Sequence, residues 1–249
     1  MSTPDKARDM VDFFKTLNGR LNVYFLRHGE SEGNNARIIQ GRHDLPLSGR
    51  GLQQAEAIAD WLEDKHIEVV LSSPLERSVQ TAQAVGRVLG LKDVHLHEGL
   101  NELDTGIFTG LTVPQIQKRH PEAWRSFQRS SWEGVPEAER IADLCKRAED
   151  LWRDLGRLFA AGQRNLLCVT HSGILQWIIK VTMAQRSWMP LVPMANCSIS
   201  QFSLDNHVEA ERPRYYFEWT HLNYQPVAGE EVNGNLFLDR STGIEGGNQ

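Results

Sequence analysis

The stretch Val23-Tyr24-Phe25-Leu26-Arg27-His28-Gly29-Glu30-Ser31 decides the fold of this chain. Its four apolar residues predict a buried strand, and the glycine predicts a sharp turn directly after an arginine and a histidine. Ligands bind at the carboxyl ends of strands in an open α/β sheet. Arginine is a fixed cation whose donors match phosphate oxygens, and a neutral histidine is a nucleophile near neutral pH. The motif therefore points to phosphoryl transfer through a phosphohistidine at His28, with Arg27 beside it.

Strands and helices alternate outward from this motif. Six apolar segments are predicted as strands: 22–26, 67–71, 94–97, 166–170, 197–204 and 214–220. Between them, apolar residues recur at helical spacing after Gly51 and over about five turns from Ile141. The alternation predicts an α/β fold, a three-layer α/β/α sandwich with a mostly parallel central sheet. The stretch 112–138, rich in aromatic and basic residues, predicts a helical insertion over the active-site edge.

The length of 249 residues fits one large domain with two flanking segments. Residues 1–20 predict an N-terminal helical extension, and residues 21–225 predict a single catalytic domain that contains the insertion. Residues 226–249 are rich in Gly, Asn and Glu and predict a C-terminal tail that is partly mobile.

Composition excludes several classes of protein. With 40% hydrophobic and 24% charged residues, the chain has the profile of a soluble globular protein, and a net charge of −5 gives no electrostatic footprint for nucleic acid. It has no apolar run long enough to span a membrane and begins with polar residues, so the cytoplasm is the expected compartment. Cys145, Cys168 and Cys197 are widely spaced, which favours reduced, buried thiols over disulfides or a zinc site.

Two further strand ends repeat the pattern of the first. Arg77 follows the second strand within Ser72-Ser73-Pro74-Leu75-Glu76-Arg77, where it would be either a second clamp on a phosphate or a surface ion pair. The fourth strand runs into Val169-Thr170-His171-Ser172-Gly173 and an apolar helix. That junction leaves free backbone N–H groups beside His171, which together form a ready anion site. Since three strand ends offer His and Arg to one edge, independent coincidence is a poor account of them.

Phosphoryl transfer also needs a proton for the leaving oxygen. The loop Leu100-Asn101-Glu102-Leu103-Asp104-Thr105-Gly106 follows the third strand and contains two carboxylates. Either Glu102 or Asp104 would serve as general acid if desolvation raised its pKa. Spacing alone does not choose between them.

Taken together and in this order, these segments resemble the histidine phosphatase superfamily, in its phosphoglycerate-mutase-like branch, over roughly residues 21–205. The elements that carry the resemblance are Arg27-His28-Gly29 with Asn34, Gln40-Gly41 with Asp44, Pro46, Leu47, Ser48 and Gly51, Ser72-Ser73-Pro74-Leu75 with Arg77, Gln80 and Thr81, Leu100 and Glu102 with Gly106 and Gly110-Leu111, and Thr170-His171-Ser172-Gly173.

The resemblance implies a role for each of these positions. His28 would attack phosphorus, Arg27, Arg77 and His171 would surround the transferred oxygens, and Glu102 rather than Asp104 would be the proton donor. The implied phosphate-binding residues also include Asn34, Gln40, Gly41 and Ser172. The resemblance implies no metal and no cofactor, because the cationic side chains replace them.

Departures from the relatives favour hydrolysis over mutase chemistry. True mutases carry a longer insertion between the acid and the second histidine, whereas here only positions 103–170 separate Glu102 from His171. A shorter cover excludes water less completely, which favours transfer to water. The stretch Pro136-Glu137-Ala138-Glu139-Arg140 also replaces a Pro-Gly-Gly-Glu-Ser-like sequence, and Ser172 stands where many relatives have Gly.

The expected function is that of a metal-independent phosphomonoesterase acting on a small phosphorylated metabolite, with no nucleic-acid or membrane partner. The alternatives are a phosphoglycerate mutase-type isomerase, and a protein phosphatase or phospholigand-binding scaffold on the same fold. The N-terminal helix and the 214–220 strand offer apolar surface on which a homodimer could form.

Overall fold

The computed structural model describes residues 5–226, with side chains from residue 10 onward. From residue 227, the predicted mobile tail lies outside the described residues. The strands in chain order are β1 Gly19–Arg27, β2 Ile38–Ile39, β3 Val69–Ser72, β4 Val94–Leu96, β5 Leu111–Thr112, β6 Asn165–Thr170, β7 Ile199–Asn206 and β8 Phe217–Tyr224. The helices are α1 Asp5–Thr16, α2 Glu32–Asn35, α3 Gly49–Leu62, α4 Glu76–Val88, α5 Val113–Arg119, α6 Pro121–Ser130, α7 Ile141–Ala160 and α8 Ser172–Thr182.

Six strands form the central sheet in the order β4-β3-β6-β1-β7-β8. The pairs β3–β4, β3–β6 and β1–β6 are parallel, and the pairs β1–β7 and β7–β8 are antiparallel. The two remaining strands, β2 and β5, pair with each other. The predicted mostly parallel sheet is therefore confirmed, and its antiparallel part is the edge formed by the last two strands.

Side chains alternate between two cores, one on each face of the sheet. Along β1, Val23 and Phe25 join the core that includes α1, α7 and α8, whereas Tyr24 and Leu26 join the core that includes α3 and α4. Both faces of the central strands are thus covered, which explains their nearly continuous apolar sequence. The three-layer prediction is confirmed.

The parallel register brings three strand ends to one edge of the sheet. Arg27 at the end of β1 lies beside Thr170 at the end of β6, and Ser72 at the end of β3 lies beside Val169. The residues that follow these positions are His28, His171 and Ser73. Segments far apart in the chain therefore deliver their polar side chains to one place.

The stretch 112–138 is helical, as its composition predicts. It holds α5, α6 and a short 3₁₀ turn. The rings of Trp124 and Phe127 stack at 5.5 Å, and Trp132 and Phe108 pack against Phe127 at 5.0 and 6.0 Å between ring centroids. These aromatic residues pack on one another and on the core.

The N-terminal helix α1 is part of the core rather than a surface appendage. Its Phe14 is fully buried, with ring centroids 5.2 Å from Trp152 and 4.9 Å from Phe202. Asn206 of β7 donates from Nδ2 to the carbonyl oxygens of Phe14 and Leu17. The apolar side of α1 that was expected to offer surface to a partner is thus covered by the chain itself.

Two other expectations concern membranes and thiols. None of the helices within residues 5–226 has the length and apolarity needed to cross a bilayer. The three cysteines are free and buried, as predicted.

Candidate active site

His28 stands at the end of β1 with one ring nitrogen already engaged. Its Nδ1 lies 2.7 Å from the carbonyl oxygen of Gly29. Since a carbonyl only accepts, Nδ1 carries the hydrogen. In the neutral ring, Nε2 then bears the lone pair, and it has no hydrogen-bond partner in the described part of the chain. Hence His28 is buried, and the lone pair of its Nε2 is the one that a neutral ring could use for nucleophilic attack.

Two buried arginines are fixed by backbone carbonyls near this histidine. Arg27 donates from Nη1 to the carbonyl oxygen of Met194 at 2.5 Å. Arg77 donates from Nη2 to Gly41 at 2.9 Å and from Nη1 to His43 at 3.0 Å. The Nε of each arginine is buried and has no partner among residues 10–226. Arg77 is therefore a buried, preorganised cation and not the surface ion pair that its sequence position also allowed.

His171, at the end of β6, completes the cluster. Its ring centroid lies 5.0 Å from that of His28. Nε2 of His171 lies 2.9 Å from Ser73 Oγ and 3.2 Å from Ser78 Oγ, whereas its Nδ1 is buried without a partner among the described residues. Four of the predicted residues, Arg27, His28, Arg77 and His171, are thus brought together as buried side chains.

The crowding of cations shapes the electrostatics of this cluster. Burial and then the charges of Arg77 and Arg27 hold the pKa of His28 well below its ordinary value. Burial and the neighbouring Arg77, His28 and Arg27 also hold the pKa of His171 well below its ordinary value. Burial lowers the pKa of Arg27 to about 10, although the charge of Glu102 opposes that shift. Both histidines are therefore neutral at pH 7 in the free protein, while the arginines remain charged.

Glu102 caps helix α8 from outside. Its carboxylate accepts N–H groups from Gly173 at 3.2 Å, Ile174 at 3.0 Å and Leu103 at 2.8 Å. The prediction that the start of α8 is a free anion site is thus wrong for two of its N–H groups, because this carboxylate already occupies them. The same contacts hold Glu102 beside the cations, where its charge raises the pKa of both Arg27 and Arg77.

Two further predicted residues, Asn34 and Gln40, are each held by Ser31. Asn34 accepts through Oδ1 from the Ser31 backbone N–H and from Asn196, which leaves its Nδ2 as a donor. Gln40 is buried, and its Oε1 lies 2.9 Å from Ser31 Oγ. These contacts orient both amides.

Gly41 and Ser172 differ in what the structure shows of them. Gly41 has a φ of +50°, and a Cβ there would lie 2.2 Å from Thr105 Oγ1, so only glycine fits at this position. Its carbonyl oxygen accepts the hydrogen bond from Arg77. Ser172 opens α8, and its side chain is half-buried.

Asn196 and Thr81 contact the backbone of His28 and Gly29. Asn196 donates from Nδ2 to the carbonyl oxygen of His28 at 3.0 Å, and Thr81 accepts from the Gly29 N–H at 3.1 Å. Thr81 belongs to the motif that carries the family resemblance. Asn196 is not predicted from the sequence, since it lies in a loop far along the chain with no neighbouring histidine or arginine to mark it.

The arrangement combines a nucleophilic nitrogen, a carboxylate and several preorganised donors. Such donors stabilise the charge that develops on the oxygens of a transferring phosphoryl group. Among residues 10–226, no group of three or more His, Cys, Asp or Glu side chains is placed to hold a metal ion.

Comparison with known proteins identifies a family and several relatives of similar sequence or structure. A family model described as the histidine phosphatase superfamily (branch 1) matches residues 23–212. The probable phosphoglycerate mutase GpmB of Escherichia coli O1:K1 is 31% identical over 186 residues, covering 73% of this chain and 84% of that protein.

Two solved structures share the fold over most of both chains. A mycobacterial glucosyl-3-phosphoglycerate phosphatase with VO3 has a TM-score of 0.65 and 27% identity, covering 83% of this chain and 100% of that one. A mutant phosphoserine phosphatase from Entamoeba histolytica with phosphoserine has a TM-score of 0.61 and 25% identity, covering 82% of this chain and 96% of that one.

Proposed function

This chain belongs to the histidine phosphatase superfamily, and from that membership we propose that it is a phosphomonoesterase that hydrolyses a small phosphorylated metabolite through a phosphohistidine on His28. The observation that carries the proposal is the hydrogen bond from His28 Nδ1 to the Gly29 carbonyl. It fixes the tautomer in which Nε2 is unprotonated, and it does so inside a cluster of buried cations.

The first step transfers the phosphoryl group to the protein. The Nε2 lone pair of His28 attacks phosphorus while the bond from phosphorus to the leaving oxygen breaks. Glu102, a carboxylate in the free protein, takes up a proton when the anionic substrate binds and gives it to that oxygen, so the leaving group departs as a neutral alcohol. Arg27, Arg77 and His171 hold the three equatorial oxygens, and the two arginines do so with donors that are already in place before charge develops.

The second step returns the phosphoryl group to water. Glu102, now a carboxylate, takes a proton from a water molecule as the water oxygen attacks phosphorus. The N–P bond breaks, and its electron pair returns to His28 Nε2. Inorganic phosphate leaves, and Glu102 again holds the proton that it gave to the leaving group.

The substrate class is supported by the similar structures. Two of them are named for phosphatases of small metabolites, glucosyl-3-phosphoglycerate and phosphoserine. Both named substrates are small anionic phosphomonoesters, and a substrate of that kind is the simplest match to a buried site built from arginines.

A panel of phosphate monoesters tests this function. It should include sugar phosphates, phosphoglycerates, phosphoserine, nucleotides and phosphopeptides, with release of inorganic phosphate as the readout. We expect His28→Ala to abolish release and the exposed-site control His95→Ala to retain it. Full activity in a folded His28→Ala protein would refute the proposal.

An isomerase is the second candidate, because the similar curated protein is called a probable phosphoglycerate mutase. Its mark would be interconversion of phosphoglycerates that is stimulated by a bisphosphate and faster than hydrolysis. A phospholigand-binding scaffold would instead bind a phosphorylated ligand or protein without turnover. Both would release little inorganic phosphate in the panel, and interconversion of the phosphoglycerates separates the isomerase from the scaffold.

A further inference from the structure

Ser73 lies between His171 and the loop that carries Glu102, and its hydroxyl has three hydrogen-bond partners. Ser73 Oγ lies 2.9 Å from Asn101 Oδ1, 2.9 Å from His171 Nε2 and 3.2 Å from the Leu75 backbone nitrogen. A serine hydroxyl supplies one hydrogen and accepts two. All three capacities are therefore used, and the question is which partner receives the hydrogen.

Glu98 decides the orientation of the Asn101 amide. Nδ2 of Asn101 lies 2.5 Å from a carboxylate oxygen of Glu98. A carboxylate accepts, so the nitrogen end of the amide must face it. The oxygen end then faces Ser73 and receives the hydroxyl hydrogen.

The hydroxyl of Ser73 is consequently an acceptor toward its other two partners. One lone pair receives the Leu75 N–H, and the other receives a hydrogen from His171 Nε2. Ser78 Oγ, at 3.2 Å from the same ring nitrogen, is a second and weaker acceptor. In a neutral imidazole the hydrogen is thus on Nε2, and Nδ1 carries a lone pair.

We propose that Asn101 and Ser73 are positioning residues that hold neutral His171 in the Nε2–H tautomer, so that an oxyanion enters the site together with a proton that binds at Nδ1. The inference rests on the proposed function, in which the transferred phosphoryl oxygens lie against His171. A bare Nδ1 lone pair repels such an oxygen, whereas an Nδ1–H donates to it.

The surrounding charges explain why the proton arrives with the anion. The charged and titratable groups around His171 are Arg77, His28, Arg27 and Arg147, together with Glu102 at the start of α8. Burial and the first four groups hold the pKa of His171 well below its ordinary value. The free protein therefore keeps His171 neutral. A bound dianion adds negative charge at the site, which favours the imidazolium and raises this pKa.

The tautomer can be read directly in the free protein. Ring nitrogen chemical shifts of 15N-labelled histidine distinguish the two neutral tautomers, and the His171→Gln variant assigns the signal. We expect Nε2–H in the wild type. Nδ1–H in the free wild type would overturn the proposal without any bearing on whether the protein is a phosphatase.

Proton uptake on anion binding tests the second half of the inference. Tungstate is a suitable probe because it carries no proton of its own around neutral pH, and calorimetry in buffers of different ionisation enthalpy counts the protons taken up. Asn101→Leu frees the Ser73 hydrogen to turn toward Nε2, so His171 can carry its hydrogen on Nδ1 before the anion arrives. We expect the wild type to take up about one proton more per bound tungstate than Asn101→Leu does.

Asn101→Asp combined with Glu98→Gln is the matched control, because the new carboxylate still accepts from Ser73, the new amide donates to it, and the net charge is unchanged. We expect it to retain the proton uptake of the wild type. Equal uptake in the wild type and Asn101→Leu would overturn the proposal, and so would a wild type that binds no tungstate. Tungstate binding with the predicted uptake in a protein that hydrolyses no phosphomonoester would refute the proposed function alone.

Discussion

The orientation and the protonation of single side chains in this site are set by the groups that contact them. His28 and His171 are both buried and neutral, and each has one ring nitrogen engaged by the protein. Arg27 and Arg77 are held through their Nη atoms by carbonyl oxygens. Because these contacts fix the side chains before any ligand binds, little reorganisation is needed when a phosphoryl group is transferred.

The first residue-scale prediction concerns Arg77. A lysine cannot reproduce two parallel donations to Gly41 and His43, and a glutamine also lacks the charge. We expect Arg77→Gln to lower kcat/KM on the order of 100-fold or more, since one preorganised donor is lost. Arg87 is an exposed arginine on the same helix, and we expect Arg87→Gln to leave kcat/KM unchanged. Equal effects of the two changes would contradict the role given to Arg77.

The second residue-scale prediction concerns the pH dependence of kcat/KM. Because the pKa of His28 is lowered, its neutral form persists below the pH at which an ordinary histidine is protonated. The acid limb of kcat/KM should therefore lie below about pH 6.5. Arg77→Gln removes a charge that lowers this pKa, so the limb should move to higher pH. A limb that stays in place in the variant would show that Arg77 does not set the protonation of His28.

At the scale of elements, the loop that carries Glu102 is braced by the residues around the start of α7. Arg147 donates from Nε and Nη2 to Glu139 at 2.9 and 2.8 Å, and from Nη1 to the carbonyl oxygen of Asn101 at 2.5 Å. The Glu139 carboxylate also accepts hydrogen bonds from the Arg42 side chain and from the Asp104 backbone N–H. These contacts thus fix the chain on both sides of Glu102, the proposed proton donor.

Leaving-group dependence tests this brace. A misplaced Glu102 matters most when the leaving oxygen needs its proton. We expect Arg147→Met to slow hydrolysis of an alkyl phosphate at least tenfold more than hydrolysis of 4-nitrophenyl phosphate, in line with the usual worth of general acid catalysis. The exposed neighbour Lys146→Met is the control. Equal losses on both substrates would indicate general damage to the fold instead.

Backbone strain within the segment before α7 gives a stability prediction. Glu137 is exposed and has a φ of +64°, a region that costs a residue with a Cβ roughly 1–2 kcal/mol. After the higher entropy of unfolded glycine is subtracted, Glu137→Gly should raise the free energy of unfolding by about 0.5 kcal/mol. Glu137→Ala keeps the strain and should give no such gain in urea denaturation. A gain from alanine as large as that from glycine would disprove the explanation.

The whole molecule is held together in part by the N-terminal helix. Phe14 of α1 is fully buried between α7 and the sheet, so truncating it leaves a cavity. We expect Phe14→Ala to lower the free energy of unfolding by about 3–5 kcal/mol. Val11→Ala, at a half-buried position of the same helix, should cost much less. A small loss for Phe14→Ala would show that α1 is dispensable to the fold.

Much of the fold and of the site is predictable because it depends on local patterns. Continuous apolar runs mark β3 and β6 as buried strands, and the residues directly after the strands mark His28 and His171. By contrast, the capping of α8 by Glu102 and the contact of Asn196 with His28 join segments about 70 and 170 residues apart. No local pattern encodes such pairings, since they arise only when the sheet order is set.

Trapping of the phosphorylated protein tests the central claim most directly. The protein is mixed with a 32P-labelled substrate from the panel, quenched within milliseconds in alkali, and mapped for the labelled residue. The account predicts an alkali-stable, acid-labile phosphohistidine at His28, present in the wild type and His95→Ala and absent from His28→Ala. Hydrolysis that proceeds with no labelled protein, or with the label on another residue, would contradict it.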